Sequence, residues 1–268
     1  MSHLLRSHAP ITELGWQRID DEARTQLIPG LAARQLVDFR GPHGWEYSAA
    51  NLGRTEAIAD VPVPDVSVGR RQVLSVVELR SAFTVSRVEL ANADRGAADV
   101  DLVDLGEAAR RVALAENIAV FEGWASAGIV GIKAASPHPP VALPSTFADY
   151  PTHVAQGVEV LLRAGVTGPY GLALGPSANT GVVESTEHGG LVVFDHLRSI
   201  LSGPIVRTPG LDGAVVVSLR GGDFHFESGE DLSVGYDHHD ASAVYLYVEE
   251  SFTFAVSAPE AAVALGAG

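Results

Sequence analysis

The chain contains no cysteine. Disulfide staples and thiolate-held metals are therefore both excluded. Lysine is nearly absent as well: of 18 basic residues only Lys133 is a lysine, a bias that fits a GC-rich genome. Positive charge as a whole is scarce. Against those 18 cations stand 33 carboxylates, a net charge of −15. A chain this acidic does not track phosphate backbones, so a nucleic-acid partner is disfavoured. No run approaches the ~20 consecutive apolar residues of a transmembrane helix, so no membrane role is expected. Met1–Arg6 has neither the apolar core nor the cleavage site of a signal peptide, which makes the cytoplasm the expected compartment. Catalytic signatures are missing too. Ser177 and Ser185 sit in no Gly-x-Ser-x-Gly elbow, and Gly221-Gly222 lacks the lysine and following helix of a phosphate loop. No catalytic residue, metal site or cofactor is expected.

What is present is enough for a real core. At 268 residues and 46% hydrophobic, the chain can form one large domain or two modest ones. Residues 12 to 28 predict a helix with Thr12 as N-cap, Trp16, Ile19, Ala23 and Leu27 on one face, and Pro29-Gly30 as its stop. Arg34–Phe39 reads as a short strand, followed by an aromatic turn at 41–47. Residues 49–76 hold β-favouring pieces between Gly53, Pro62, Pro64 and Gly69, without an obvious core face. They are either an extended arm whose partners lie on a neighbouring subunit or a hairpin packed on its own domain. Residues 102–127 carry two apolar stripes, one of Ala108, Val112, Ala115 and Ala119 and one of Leu114, Ile118, Phe121 and Ala125. That doubling predicts a helix buried over much of its circumference. Four prolines between Pro137 and Pro144 suggest a domain boundary. Beyond it, helices are predicted at 150–164 and 193–201, and strands at 172–174, 214–219 and 245–256. Phe224 and Phe226, then Leu232 and Val234, alternate with polar neighbours as in two half-buried strands.

Several polar clusters invite a chemical reading. Asp237-His238-His239-Asp240, near His225, has metal-ligand residue types. Adjacent strand residues point to opposite faces, however, so a solvated turn is the better reading. His188 and His196, near Glu184, Glu187 and Asp195, lie in a glycine-rich stretch without a fixed frame, which favours an exposed loop. Trp16, Trp45 and Trp124 each sit beside apolar or glycine-rich sequence and are expected to pack in a core or interface.

One set of segments goes further. Ala9-Pro10 with Trp16, Arg34 with Val37-Asp38, Gly41-Pro42 with Gly44-Trp45-Glu46, Glu78-Leu79-Arg80 with Phe83-Thr84, Phe121-Glu122-Gly123, Gly168-Pro169-Tyr170, and Arg220 through Tyr236 occur in this order from end to end. In order and spacing the chain resembles the shell proteins of bacterial encapsulins, nanocompartments built on the tailed-phage major capsid protein fold, an α+β fold. The resemblance implies a peripheral domain at 1–48, 77–133 and 220–256, an extended loop at 49–76, and an axial domain at 134–219 and 257–268. It implies a homo-oligomeric icosahedral shell of about 60 copies. It also implies a cargo enzyme held by its C-terminal targeting peptide, first a dye-decolourising peroxidase, alternatively a ferritin-like protein. The implied peptide groove uses Leu27, Arg34, Val37, Asp38, Asp231, Leu232 and Val234, with Arg34 and the aspartates at its rim. The implied pore loop holds Glu184, Glu187, His188, Gly189 and Gly190. Some members carry a flavin-stacking tryptophan where this chain has Arg87, so the resemblance does not carry flavin binding over to this chain. A prophage capsid protein and a protease are the competing readings. The net charge argues against the first and the missing catalytic set against the second.

Overall fold

The computed structural model describes residues 3–186 and 192–266. Helix α1 spans Glu13–Leu27, with the Thr12 hydroxyl accepting from the Gly15 N–H at 3.0 Å. It buries Gly15, Ile19, Ala23 and Leu27, while Trp16 stays half-buried at the edge. The stretch after it is not the strand its sequence predicts. Ala33–Gln35 forms a 3-10 turn, and only Asp38–Arg40 is strand β1. The cause lies 84 residues away. The Asn117 side chain accepts from the Ala33 N–H at 3.0 Å and donates to the Gly30 carbonyl at 2.7 Å. Backbone groups satisfied this way need no strand partner.

Around these elements stands a five-stranded sheet. Its longest strand is β10, Ala243–Val256. One side of β10 pairs antiparallel with β4, Val77–Ser86. The other side is shared by β8, Phe224–Ser228, at one end and β9, Ser233–His239, at the other. β1 adds in parallel outside β8. β8 is buried along its whole length rather than on one face. Its polar side is covered because Glu227 is tied to Arg40 at 3.0 Å and to His43 at 3.3 Å, which draws the 41–47 turn over it.

Helix α2, Arg87–Asp94, follows β4. Helix α3, Val103–Phe121, then crosses the sheet against β4, β10 and α1. The first predicted stripe is buried at Ala108, Val112 and Ala119. The second is divided: Phe121 is fully buried, but Leu114 and Ile118 remain 38% and 37% exposed. The helix also stops at Phe121, short of the expected 127. Gly123 turns out at φ +97°, and the chain returns so closely that a Cβ on Gly131 would lie 2.2 Å from the Gly123 nitrogen. Only glycine at both positions allows that crossing.

After short helix α4, Ile132–Ala135, and the proline-rich stretch, the chain builds a second sheet. Its order is β11, β7, β5, β6: Ala262–Leu265, Ala214–Ser218, Tyr170–Leu174 and Ser202–Arg207. β5 and β7 are buried throughout and read as short continuous apolar runs. Helices α5 (Tyr150–Arg163), α6 (Pro176–Glu184) and α7 (Val193–Leu201) accompany it. The third sheet is the 49–76 segment. β2 (Ala49–Ile58) and β3 (Val68–Ser75) form an antiparallel hairpin in which only Ala50 is buried. It is thus a hairpin by pairing, yet beyond its base, where β3 meets β10, it packs little on its own subunit.

Candidate partner-binding groove

Between α1 and β9 runs a groove of about 530 Å³. Its walls are apolar: Ala23, Leu27 and Leu31 on one side, Leu232, Val234 and Val248 on the other. Helical spacing puts Ala23 and Leu27 on the same side of α1, and strand alternation sets Leu232 and Val234 together. Charged groups stand along it, among them Arg6, Asp20, Arg24 and Asp231.

Of the seven positions expected to share one site, Leu27, Arg34, Asp231, Leu232 and Val234 line this groove. Val37 and Asp38 do not. They line a separate cavity of about 210 Å³ with Leu219, Gly221 and Phe224. Asp38 is engaged in holding a turn, its Oδ2 accepting from the Gly222 N–H at 2.6 Å with His225 Nδ1 3.5 Å away.

Arg34 also departs from expectation. It is not a rim charge but the hub of a buried network, its side chain only 15% exposed. Nε donates to Glu116 Oε2 at 2.8 Å, Nη1 to Asp231 Oδ1 at 2.7 Å, and Nη2 to Glu250 Oε2 at 2.8 Å. The guanidinium also lies over Phe39 and Phe226, 4.9 and 5.2 Å from the ring centres. Burial opposes its charge, but the three carboxylates outweigh that and hold its pKa above the usual value. Burial pushes the Glu116 carboxyl up, with Arg34 pulling it back. Glu250 rises well above the ordinary carboxyl range, through burial first and then the charge of Glu116. Glu116 Oε1 and Glu250 Oε1 are buried with no hydrogen-bond partner among the described residues. Burial and the charge of Glu116 both favour the protonated form of Glu250. These two glutamates escaped the sequence reading. Their signal was a charge inside an apolar element: Glu116-Asn117 in the middle of α3, and Glu249-Glu250 in the middle of β10.

The other polar clusters are engaged locally. His238 stacks on Tyr245 at 4.2 Å, and His239 Nδ1 hydrogen-bonds the Tyr236 hydroxyl at 2.6 Å. Asp240 accepts from the Ser242 N–H and hydroxyl and the Ala243 N–H, which closes the turn and holds its carboxyl below the ordinary range. Among the described residues no three side chains of metal-ligating type converge. Of the expected pore loop, Glu184 ends α6, exposed. Glu187, His188, Gly189 and Gly190 lie outside the described residues. Thr186 and Val192 pair antiparallel. No helix among the described residues is long and apolar enough to cross a membrane.

The molecule thus combines a mixed sheet-and-helix body, a hairpin in which only Ala50 is buried, and one groove between α1 and β9. Among solved structures, the virus-like particle from Pyrococcus furiosus superposes with a TM-score of 0.60 at 17% identity, covering 91% of this chain and 97% of that one. The capsid of an empty GTA particle gives 0.53 at 14% identity, covering 89% and 90%. These likenesses establish the tailed-phage capsid fold. A type 1 encapsulin shell protein of Rhodospirillum rubrum is 46% identical, covering 99% of this chain and 96% of its own length. That of Rhodococcus erythropolis is 41% identical, covering 99% and 100%. The relatives are shell proteins, not enzymes, and so is this chain. Residues 1–253 match the family model described as an encapsulating protein for peroxidase, and the chain belongs to that family, the encapsulin shell proteins.

Proposed function

We propose that copies of this chain close into a hollow icosahedral particle of about 60 subunits in the cytoplasm, and that the groove between α1 and β9 holds the C-terminal peptide of an enclosed enzyme. The observation that carries the reading is the groove itself. It is apolar-walled, about 530 Å³ in volume, and lined by five positions that the resemblance assigns to cargo. Apolar pockets beside charged groups suit a short peptide better than a small polar substrate. The family description makes a peroxidase the first candidate cargo, of the dye-decolourising type, with a ferritin-like protein as the alternative. In this reading the five-stranded sheet with α1 and α3 is the peripheral domain, the four-stranded sheet with α5–α7 is the axial domain, and the hairpin is the extended loop. The 184–190 loop then borders a pore.

The test is co-expression with the partner that co-purifies from the native source, reading the cargo-to-shell ratio. Leu232→Asp places a carboxylate where an apolar side chain should sit, a burial worth several kcal/mol against binding. Loading should fall at least ten-fold while particles still form. Normal loading of Leu232→Asp particles would move the peptide elsewhere.

A further inference from the structure

The groove is not made by α1 and β9 alone. Residues 3–6 run past its end and touch both walls. On the β9 side, the Leu4 carbonyl accepts from the Tyr236 N–H at 2.9 Å. The His3 ring stacks on Trp45 at 3.9 Å, and its Nε2 lies 2.9 Å from Glu249 Oε1. On the α1 side, Arg6 donates to Asp20 Oδ2 at 2.7 Å and covers the Trp16 ring at 4.0 Å. Arg6 and Asp20 both line the groove. Leu5 makes the bend between the walls. It does so at φ +50°, and its side chain is 42% exposed. A bulky residue in left-handed backbone, with its apolar side chain in water, is held there by what flanks it.

The strand pairing shows what the β9 edge accepts. Antiparallel partners alternate between residues that bond across the pair and residues whose N–H and C=O point away. Tyr236 pairs with Leu246, and its N–H points away from β10, to Leu4. Val234, two residues back and opposite Val248, therefore also aims its N–H and C=O away from β10, on the side where it lines the groove. No other backbone or side-chain group of the described residues is seen bonded to them. Leu4, in a turn, fills one position of this edge, and the next position, at a residue that lines the groove, has no backbone partner among the described residues.

We propose that residues 3–6 form a strap that closes one end of the groove and fixes the register of its ligand, an extended peptide that pairs with Val234 in line with Leu4. The occupant is an extended peptide, because the N–H and C=O of Val234 face away from β10 with no partner among the described residues. This rests on the groove being the cargo site, and the experiment separates the two. Proline cannot adopt the φ of Leu5, whereas glycine adopts it freely. Particles of Leu5→Pro, Leu5→Gly and the unmodified chain are co-expressed with the enzyme that co-purifies from the native source. Hydrogen–deuterium exchange is read over residues 232–237, and the cargo-to-shell ratio is read from the same particles. Leu5→Pro should speed exchange in that segment several-fold and lower loading about five- to ten-fold, with shell assembly and Tm unchanged. Leu5→Gly should retain both. In unmodified particles, cargo should slow exchange of the segment. Two results overturn the strap: Leu5→Pro particles that exchange faster yet load normally, or loaded and empty particles that exchange alike. If Leu232→Asp particles also load normally, the groove assignment itself falls. If they do not, the groove stands without its strap.

Discussion

At the scale of single residues, the groove floor is an electrostatic problem solved by one arginine. Arg34 bonds carboxylates from three elements at once: α3, β10 and the turn before β9. Removing it strands Glu116 and Glu250 in an apolar interior. Breaking a buried pair from one side costs roughly 3–5 kcal/mol, so Arg34→Ala should lower subunit stability by about that much. The check is a denaturant midpoint on dissociated subunits. A change within 1 kcal/mol would return Arg34 to the groove rim. The proton on Glu250 adds a pH dependence whose sign is fixed. A carboxyl whose pKa is raised on folding gives stability that is fully present below its unfolded value of about 4.5 and is lost as pH rises through the raised one. Glu250→Gln keeps a donor toward Glu116 without titrating. The loss of Tm as pH rises above the ordinary carboxyl value of about 4.5 should therefore be smaller in that variant than in the parent. Equal slopes would remove Glu250 as the titrating group.

At the scale of elements, local signals and long-range ones separate cleanly. α1, α5, α7 and β10 were legible because each carries its own period, cap or stop. The turn at 33–35 was not, since Asn117 shapes it from 84 residues away. Nor was α6, whose Pro176–Glu184 sequence is short, glycine-bearing and weakly patterned. The same division holds for the site. Leu27, Leu232 and Val234 stand out as apolar positions on regular elements, whereas no periodicity pairs Glu116 with Glu250. Leu114 and Ile118 of α3 were legible as apolar but not as exposed, and burial depends on what a subunit packs against. The hairpin carries the matching liability, with Leu52, Val63, Val66, Val68 and Val73 all exposed. An element with almost no internal burial contributes to assembly and not to the subunit. Deleting residues 54–72 should abolish or alter particles while the subunit keeps its helical circular dichroism. Particles of unchanged size and Tm would make the hairpin an ornament.

At the scale of the whole molecule, charge decides what the shell can hold. The capsid neighbours share the fold, so architecture alone does not distinguish a nucleic-acid container from an enzyme container. The net charge does. At −15 per subunit, a closed shell has no net positive charge with which to displace the counterions of a packaged polyanion, and that displacement supplies most non-specific nucleic-acid affinity. The proposed peptide groove would work differently. Its apolar walls and the free edge of β9 would draw on burial and backbone hydrogen bonds, which salt does not screen. Two outcomes follow for the purified chain expressed alone. It should form discrete hollow particles by electron microscopy at micromolar concentration, because the contacts that close the shell lie within one sequence. Those particles should show a protein-like ultraviolet ratio before and after nuclease treatment, at low salt as well as high. A stable monomer or dimer would contradict the first outcome. Nuclease-resistant nucleic acid that co-purifies at low salt would contradict the second, and would turn the reading toward a capsid that packages a genome.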